Sequence, residues 1–157
     1  MDAFAVASVD TLDIEGCPDQ VAVETWQRIF ETFSSLRTLH VKGSGTLDSL
    51  WAGLRHATRS SLEHGGVVCC PSLSAITTED HDGVYPRFRF TATATLLKIV
   101  RETLRARSKA GANRLQKLQF RLEYSSRLWR QTTRTRGTFV DDVRALVDEL
   151  DYRDWKT

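Results

Sequence analysis

Leu36-Arg37-Thr38-Leu39-His40-Val41 decides the fold, because its apolar residues fall at relative positions 1, 4 and 6, a spacing written LxxLxL. The same frame fits Leu115-Gln116-Lys117-Leu118-Gln119-Phe120. Looser copies occur at Val9-Asp10-Thr11-Leu12-Asp13-Ile14 and at Leu73-Ser74-Ala75-Ile76-Thr77-Thr78, where the last position is polar. Successive copies begin 27, 37 and 42 residues apart. A short motif that recurs in this way marks one supersecondary unit repeated, each unit needing its neighbour to cover an apolar side. Side chains alternate along a strand, so positions 4 and 6 share one side and positions 3, 5 and 7 the other. The expected polar side therefore carries Thr11, Asp13 and Glu15; Thr38, His40 and Lys42; Ala75, Thr77 and Glu79; Lys117, Gln119 and Arg121.

Between the short strands the apolar residues return every three or four positions, the period of a helix with one buried stripe. Val23, Trp26, Phe30 and Phe33 form the first stripe, and Leu47, Leu50, Trp51 and Leu54 the second, with Thr46 placed to cap it and Asp48 in its first turn. A third helix, from about Thr93 to Lys109, sets Leu96, Leu97, Val100 and Leu104 opposite Lys98, Arg101 and Arg105. Gly111 and Asn113 supply its stop. The fourth is expected from about Phe139, with Val143, Leu146, Val147 and Leu150 inward and Thr138 with Asp141 as a capping-box-like start. Strand and helix alternate four times, which predicts parallel strands joined by helical crossovers. Polar residues interleaved in the strands argue for one wet face and helices on the other.

Trp26-Gln27-Arg28-Ile29-Phe30-Glu31-Thr32-Phe33-Ser34-Ser35-Leu36-Arg37-Thr38-Leu39, then Cys70-Pro71-Ser72-Leu73 and Asn113-Arg114-Leu115-Gln116-Lys117-Leu118, resembles the degenerate leucine-rich-repeat region of the F-box-like proteins of mushroom-forming fungi. The likeness runs from about Val9 onward. It implies an α/β fold, a short leucine-rich-repeat-like solenoid arc of about four strand-helix units with a parallel sheet on one face. It also implies a role in holding a protein partner, as the repeats of that family are thought to hold a substrate. Residues 1–157 are read as one such domain, a fragment of a longer F-box-like architecture. The F-box itself, which opens with an apolar-Pro-x-Glu signature, has no room before Val9, and the only prolines are Pro18, Pro71 and Pro86. Docking on a ubiquitin-ligase adaptor is therefore not expected through this chain. The Asn ladder of regular repeats is missing too, its positions holding Cys17, Ser44, His81 and Glu123.

Composition agrees with one packed domain: 157 residues, 41% apolar and 27% charged, enough to bury a real core. No apolar run approaches the ~20 residues that span a bilayer. The start, Met1-Asp2-Ala3-Phe4, lacks the basic and apolar regions of a signal peptide, so cytoplasm or nucleus is the expected location and no membrane partner is expected. Cys17, Cys69 and Cys70 fit neither a disulfide framework nor a paired zinc motif, and are read as reduced thiols.

The net charge of +2 conceals segregation. Residues 1–97 hold 7 Lys and Arg against 12 Asp and Glu, residues 98–136 hold 12 against 2, and residues 137–157 hold 3 against 6. A basic block of that kind keeps a second class of function in view, nucleic-acid binding through 98–136. A solvated helix face and loop account for the same charges.

Catalysis and cofactors find no support. His40, His56, His64 and His81 share no HxxxH or HExxH spacing, and Glu79-Asp80-His81-Asp82-Gly83 lacks the alternating ligands of a calcium loop. Gly43-Ser44-Gly45-Thr46 has no phosphate-loop signature, and no GxSxG elbow accompanies the serines. Two segments have binding character. Tyr85-Pro86-Arg87-Phe88-Arg89-Phe90 interleaves aromatics with arginines, and the basic stretch 127–137 carries Trp129. The expected function is thus non-catalytic partner binding through His40, Lys42, Lys117, Gln119 and Arg121 on the strands and Tyr85, Arg87 and Trp129 beside them. A truncated product without independent role is the remaining alternative.

Overall fold

The computed structural model describes residues 8–80, 90–124 and 137–156. Its elements are β1 (Thr11–Gly16), α1 (Val23–Thr32), β2 (Thr38–Gly43), α2 (Asp48–Glu63), β3 (Ala75–Asp80), β4 (Phe90–Thr91), α3 (Ala94–Lys109), β5 (Leu115–Tyr124), a helix α4 over 137–144, and β6 (Val147–Lys156). Every strand pair is parallel, and β1, β2, β3, β5 and β6 stand side by side in chain order.

The register follows the LxxLxL spacing. Leu12 is level with Leu39, Leu39 with Ile76, Ile76 with Leu118, and Leu118 with Leu150. Leu36, Leu39, Val41, Leu73, Ile76, Leu115, Leu118 and Phe120 are buried in one core with Trp26, Phe30, Leu50, Trp51, Leu54, Leu96, Leu97 and Val100 of the helices. At these positions the frame marks core residues as its spacing requires. Leu12 and Ile14 of β1 are only half-buried, since β1 is the sheet's edge and no further unit packs beyond it among the described residues.

Thr78, the polar exception in the frame, is buried, and its hydroxyl donates to the Gln119 carbonyl at 3.0 Å while the Gln119 amide donates to the Thr78 carbonyl at 3.4 Å. A buried polar side chain is tolerated because it is bonded. These side-chain bonds stand where the β3–β5 ladder stops, its last level pair being Thr77 and Gln119. Beyond them β4 takes up the same edge of β5, with Phe90 level with Leu122 and bridged on its other side to Gly45.

The C-terminal helix departs from expectation. Val147 and Leu150 belong to β6 and not to a helix running on from Phe139, for α4 ends at 144. The physical reason is an ambiguity of period: residues three apart share a helix face, and they also occupy positions 1 and 4 of the repeat frame. Val147-Asp148-Glu149-Leu150-Asp151-Tyr152 is a fifth copy of that frame, beginning 32 residues after Leu115. Pairing along β5 satisfies the backbone groups that an open edge would leave bare, and nine levels of register from Leu115–Val147 to Tyr124–Lys156 do so.

The helix starts also differ in detail. Leu47, not Thr46, is the N-cap of α2, and it makes no side-chain cap. Asp48 instead accepts a hydrogen bond from the Thr93 hydroxyl at 2.8 Å, and the Thr93 oxygen caps α3 by accepting from the Leu96 amide at 2.8 Å. One short chain of bonds therefore fixes the starts of both helices.

Candidate functional site

Alternation along five level strands produces a polar face opposite the helices. Asp13, His40, Thr77, Gln119 and Asp151 are level across it, as are Glu15, Lys42 and Glu79. Asp13, Ile14, Glu15, His40, Lys42 and Glu79 line a shallow depression of about 240 Å³ over β1–β3. In it the His40 Nδ1 lies 2.9 Å from a carboxylate oxygen of the exposed Asp13. Three carboxylates against one lysine make its formal charge negative when His40 is neutral.

The strand residues expected to bind a partner divide into two groups. His40 and Lys42 share the depression, while Lys117 and Arg121 stand on β5, two strands away, a distance of roughly 10 Å at ordinary strand spacing. Gln119 is a correction to the exposed set: it is 8% exposed and its amide is committed to Thr78. Thr77 beside it is buried to the same degree. Tyr85, Arg87 and Trp129 lie outside the described residues. Phe90, at the end of the aromatic-arginine run, is fully buried in the core.

The basic block has partners within the fold. Arg101 and Arg105 reach Asp142 at 3.3 and 3.1 Å, and Arg114 reaches Asp148 at 2.9 Å and the Val147 carbonyl at 2.7 Å. Lys98 stands 3.9 Å from Glu102, which also holds Arg55 at 2.8 Å. Charges segregated along the sequence are thus brought together across α3, α4 and β6.

A second constellation was not anticipated. Cys69 and Cys70, in the connection before β3, are buried beside Arg107 of α3. The Arg107 guanidinium donates to the Cys69 carbonyl and the Cys70 carbonyl, each at 2.8 Å, and stands 3.7 Å from the Cys69 sulfur. The Cys69 sulfur also lies 3.5 Å from the Thr58 hydroxyl. The Cys70 thiol donates to the carbonyls of Phe30 and Phe33, at 3.1 and 3.3 Å, where α1 ends. The Cys69 thiol is pulled down to about 6, first by a hydrogen bond from Cys70 and then by Thr58 and the Arg107 charge, against the effect of burial. The Cys70 thiol is pushed far up by its bond to Cys69 and by burial. Burial also lowers the Arg107 pKa, opposed by the two sulfurs. The sequence did hold one signal for this site. Leu96, Val100, Thr103 and Arg107 fall at helical spacing, so a charged residue stands on the apolar stripe of α3.

Among the described residues no three His, Cys, Asp or Glu side chains are grouped to hold a metal ion. No described helix is long and apolar enough to cross a membrane. No protein-family model matches the chain, and no curated protein or solved structure is significantly similar to it.

Proposed function

We propose that this chain is a non-catalytic protein-interaction module, a short leucine-rich-repeat-like arc that holds a protein partner on its polar strand face. The observation that carries this reading is the common register of five parallel strands, which sets the polar positions of neighbouring strands level with one another. A rigid scaffold that presents charged side chains from several strands suits recognition of an extended or complementary protein surface. The resemblance to the repeats of F-box-like proteins supports the same role, as a substrate-holding part.

The acidic depression over β1–β3 favours a partner segment bearing Lys or Arg, while Lys117 and Arg121 on β5 favour acidic groups farther along. Affinity capture followed by cross-linking tests this directly. His40→Ala, Glu79→Ala and Lys117→Ala should each move stability by about 0.5 kcal/mol or less, as surface substitutions do, and should weaken capture. Retained capture by all three would remove the strand face as the binding surface.

A further inference from the structure

Cys69 lines a surface recess of about 330 Å³, together with Glu31, Ser34 and Ser35 near the end of α1, Ser61 of α2, and Val67, Val68 and Pro71. Val67 on its rim is 78% exposed. Cys69 itself is enclosed, being 5% exposed as a residue, and the recess is where the surface opens toward it. Behind it the Arg107 guanidinium directs a polar hydrogen toward that sulfur at 3.7 Å, while the Thr58 hydroxyl, 3.5 Å away, gives its own proton to the Leu54 carbonyl at 2.8 Å. A guanidinium so placed favours the thiolate, the reactive form of cysteine. Cys70 is the adjacent residue, fully buried, with φ +43, a backbone setting uncommon outside glycine. Its S–H donates to the carbonyls of Phe30 and Phe33, at 3.1 and 3.3 Å, so the thiol is held beside the end of α1.

We propose that Cys69 and Cys70 form a peroxide-reactive vicinal thiol pair, in which Cys69 attacks and Cys70 resolves. The Cys69 thiolate attacks one oxygen of hydrogen peroxide, the O–O bond breaks, and the departing hydroxide is protonated to water, leaving a sulfenic acid on Cys69. The Cys70 sulfur then displaces hydroxide from the Cys69 sulfur, its own proton leaving with that group as a second water. Overall two thiols lose two electrons and two protons, one S–S bond forms, and one peroxide becomes two waters. Neighbouring Cα atoms across a trans peptide stand about 3.8 Å apart, below the usual span of about 4.4–6.8 Å for a disulfide. The product is strained and therefore easily reduced, which makes the modification reversible. The charged and titratable groups around the pair are Arg107 from α3 and Glu31 across the recess from α1.

The test uses the full chain treated with a small molar excess of hydrogen peroxide at neutral pH, with peptide mass mapping over time. The exposed Cys17 serves as an internal reference that needs no substitution. The peptide containing Cys69 and Cys70 should lose two hydrogens about tenfold faster than Cys17 is modified, and should regain them with dithiothreitol. In Cys70→Ser, dimedone should label Cys69 as its sulfenic acid. Oxidation of Cys17 while the 69–70 peptide keeps both thiols would overturn the proposal, as would dimedone labelling confined to Cys70 in Cys69→Ser.

Discussion

Gly53 sits within α2, where helix propensity alone says that alanine should stabilise by about 1 kcal/mol. The packing reverses the sign. A Cβ at this position would lie 2.3 Å from the Trp26 Cβ, 3.0 Å from the Gln27 amide nitrogen and 3.0 Å from the Val23 carbonyl oxygen. Carbon atoms rest at about 3.5–4.0 Å, so α1 and α2 must part by more than about 1 Å. The obstructing atoms are backbone and a Cβ, which cannot swing aside as the end of a flexible side chain does. Separation would loosen the fully buried Trp26, Phe30, Trp51 and Leu54 together. Overpacking of this kind costs about 1–3 kcal/mol, and contact with backbone places it at the upper end. Subtracting the gain in propensity leaves Gly53→Ala less stable by about 2 kcal/mol, a fall of about 4–8 °C in Tm for a chain of this size. Urea and thermal denaturation followed by circular dichroism measure it, with the exposed His56→Ala on the same helix as a control expected to be neutral or slightly stabilising. An unchanged or raised midpoint for Gly53→Ala would refute the close approach of the two helices.

Leu39→Ala and Leu118→Ala, at level core positions of β2 and β5, should each cost about 2–5 kcal/mol by leaving a cavity, read as a lowered denaturation midpoint. Asp142→Ala removes the partner of Arg101 and Arg105 at the junction of α3 with α4, and should cost about 1 kcal/mol at low salt and less at high salt. An equal loss at both salt concentrations would point to packing as the cause. Alkylation of Cys69 should accelerate as pH rises through about 6 and level off above it, because the thiolate is the nucleophile and its thiol is lowered to that value. A rate that keeps climbing through pH 9 would show an ordinary thiol.

The strands were legible because a repeated spacing carries two kinds of information. It fixes which residues face the core, and through register it fixes which residues of different strands stand level. Leu39, Ile76 and Leu118 were placed by spacing alone, and the ladder aligns them. What stayed hidden was of three kinds. Val147 and Leu150 satisfied two periods at once, and only the open edge of β5 decides between them. Gln119 follows a surface position of the frame, yet the amide closes over Thr78 where β3 leaves β5, a contact between residues 41 apart. Arg107 caps two carbonyls on a connection 37 and 38 residues upstream, and spacing within α3 gives its side but not its target.

The fifth strand changes how the polar face presents charge. Four strands alone gave a surface running from acidic at Asp13 and Glu15 to basic at Lys117 and Arg121, a simple dipole. β6 places Glu149 level with Lys117, Asp151 level with Gln119 and Arg153 level with Arg121. Arg153 in turn reaches Asp151 at 3.3 Å. The basic strand is therefore interior to the sheet, with the Glu149 and Asp151 carboxylates of β6 along one side. Opposite charges on level positions lower the field that reaches a distant partner, because separations beyond the Debye length of about 8 Å are screened. Long-range steering by Lys117, level with Glu149, is thus weak. Recognition on this face depends on which level pairs a partner meets at contact distance, that is on register, which the parallel ladder holds fixed.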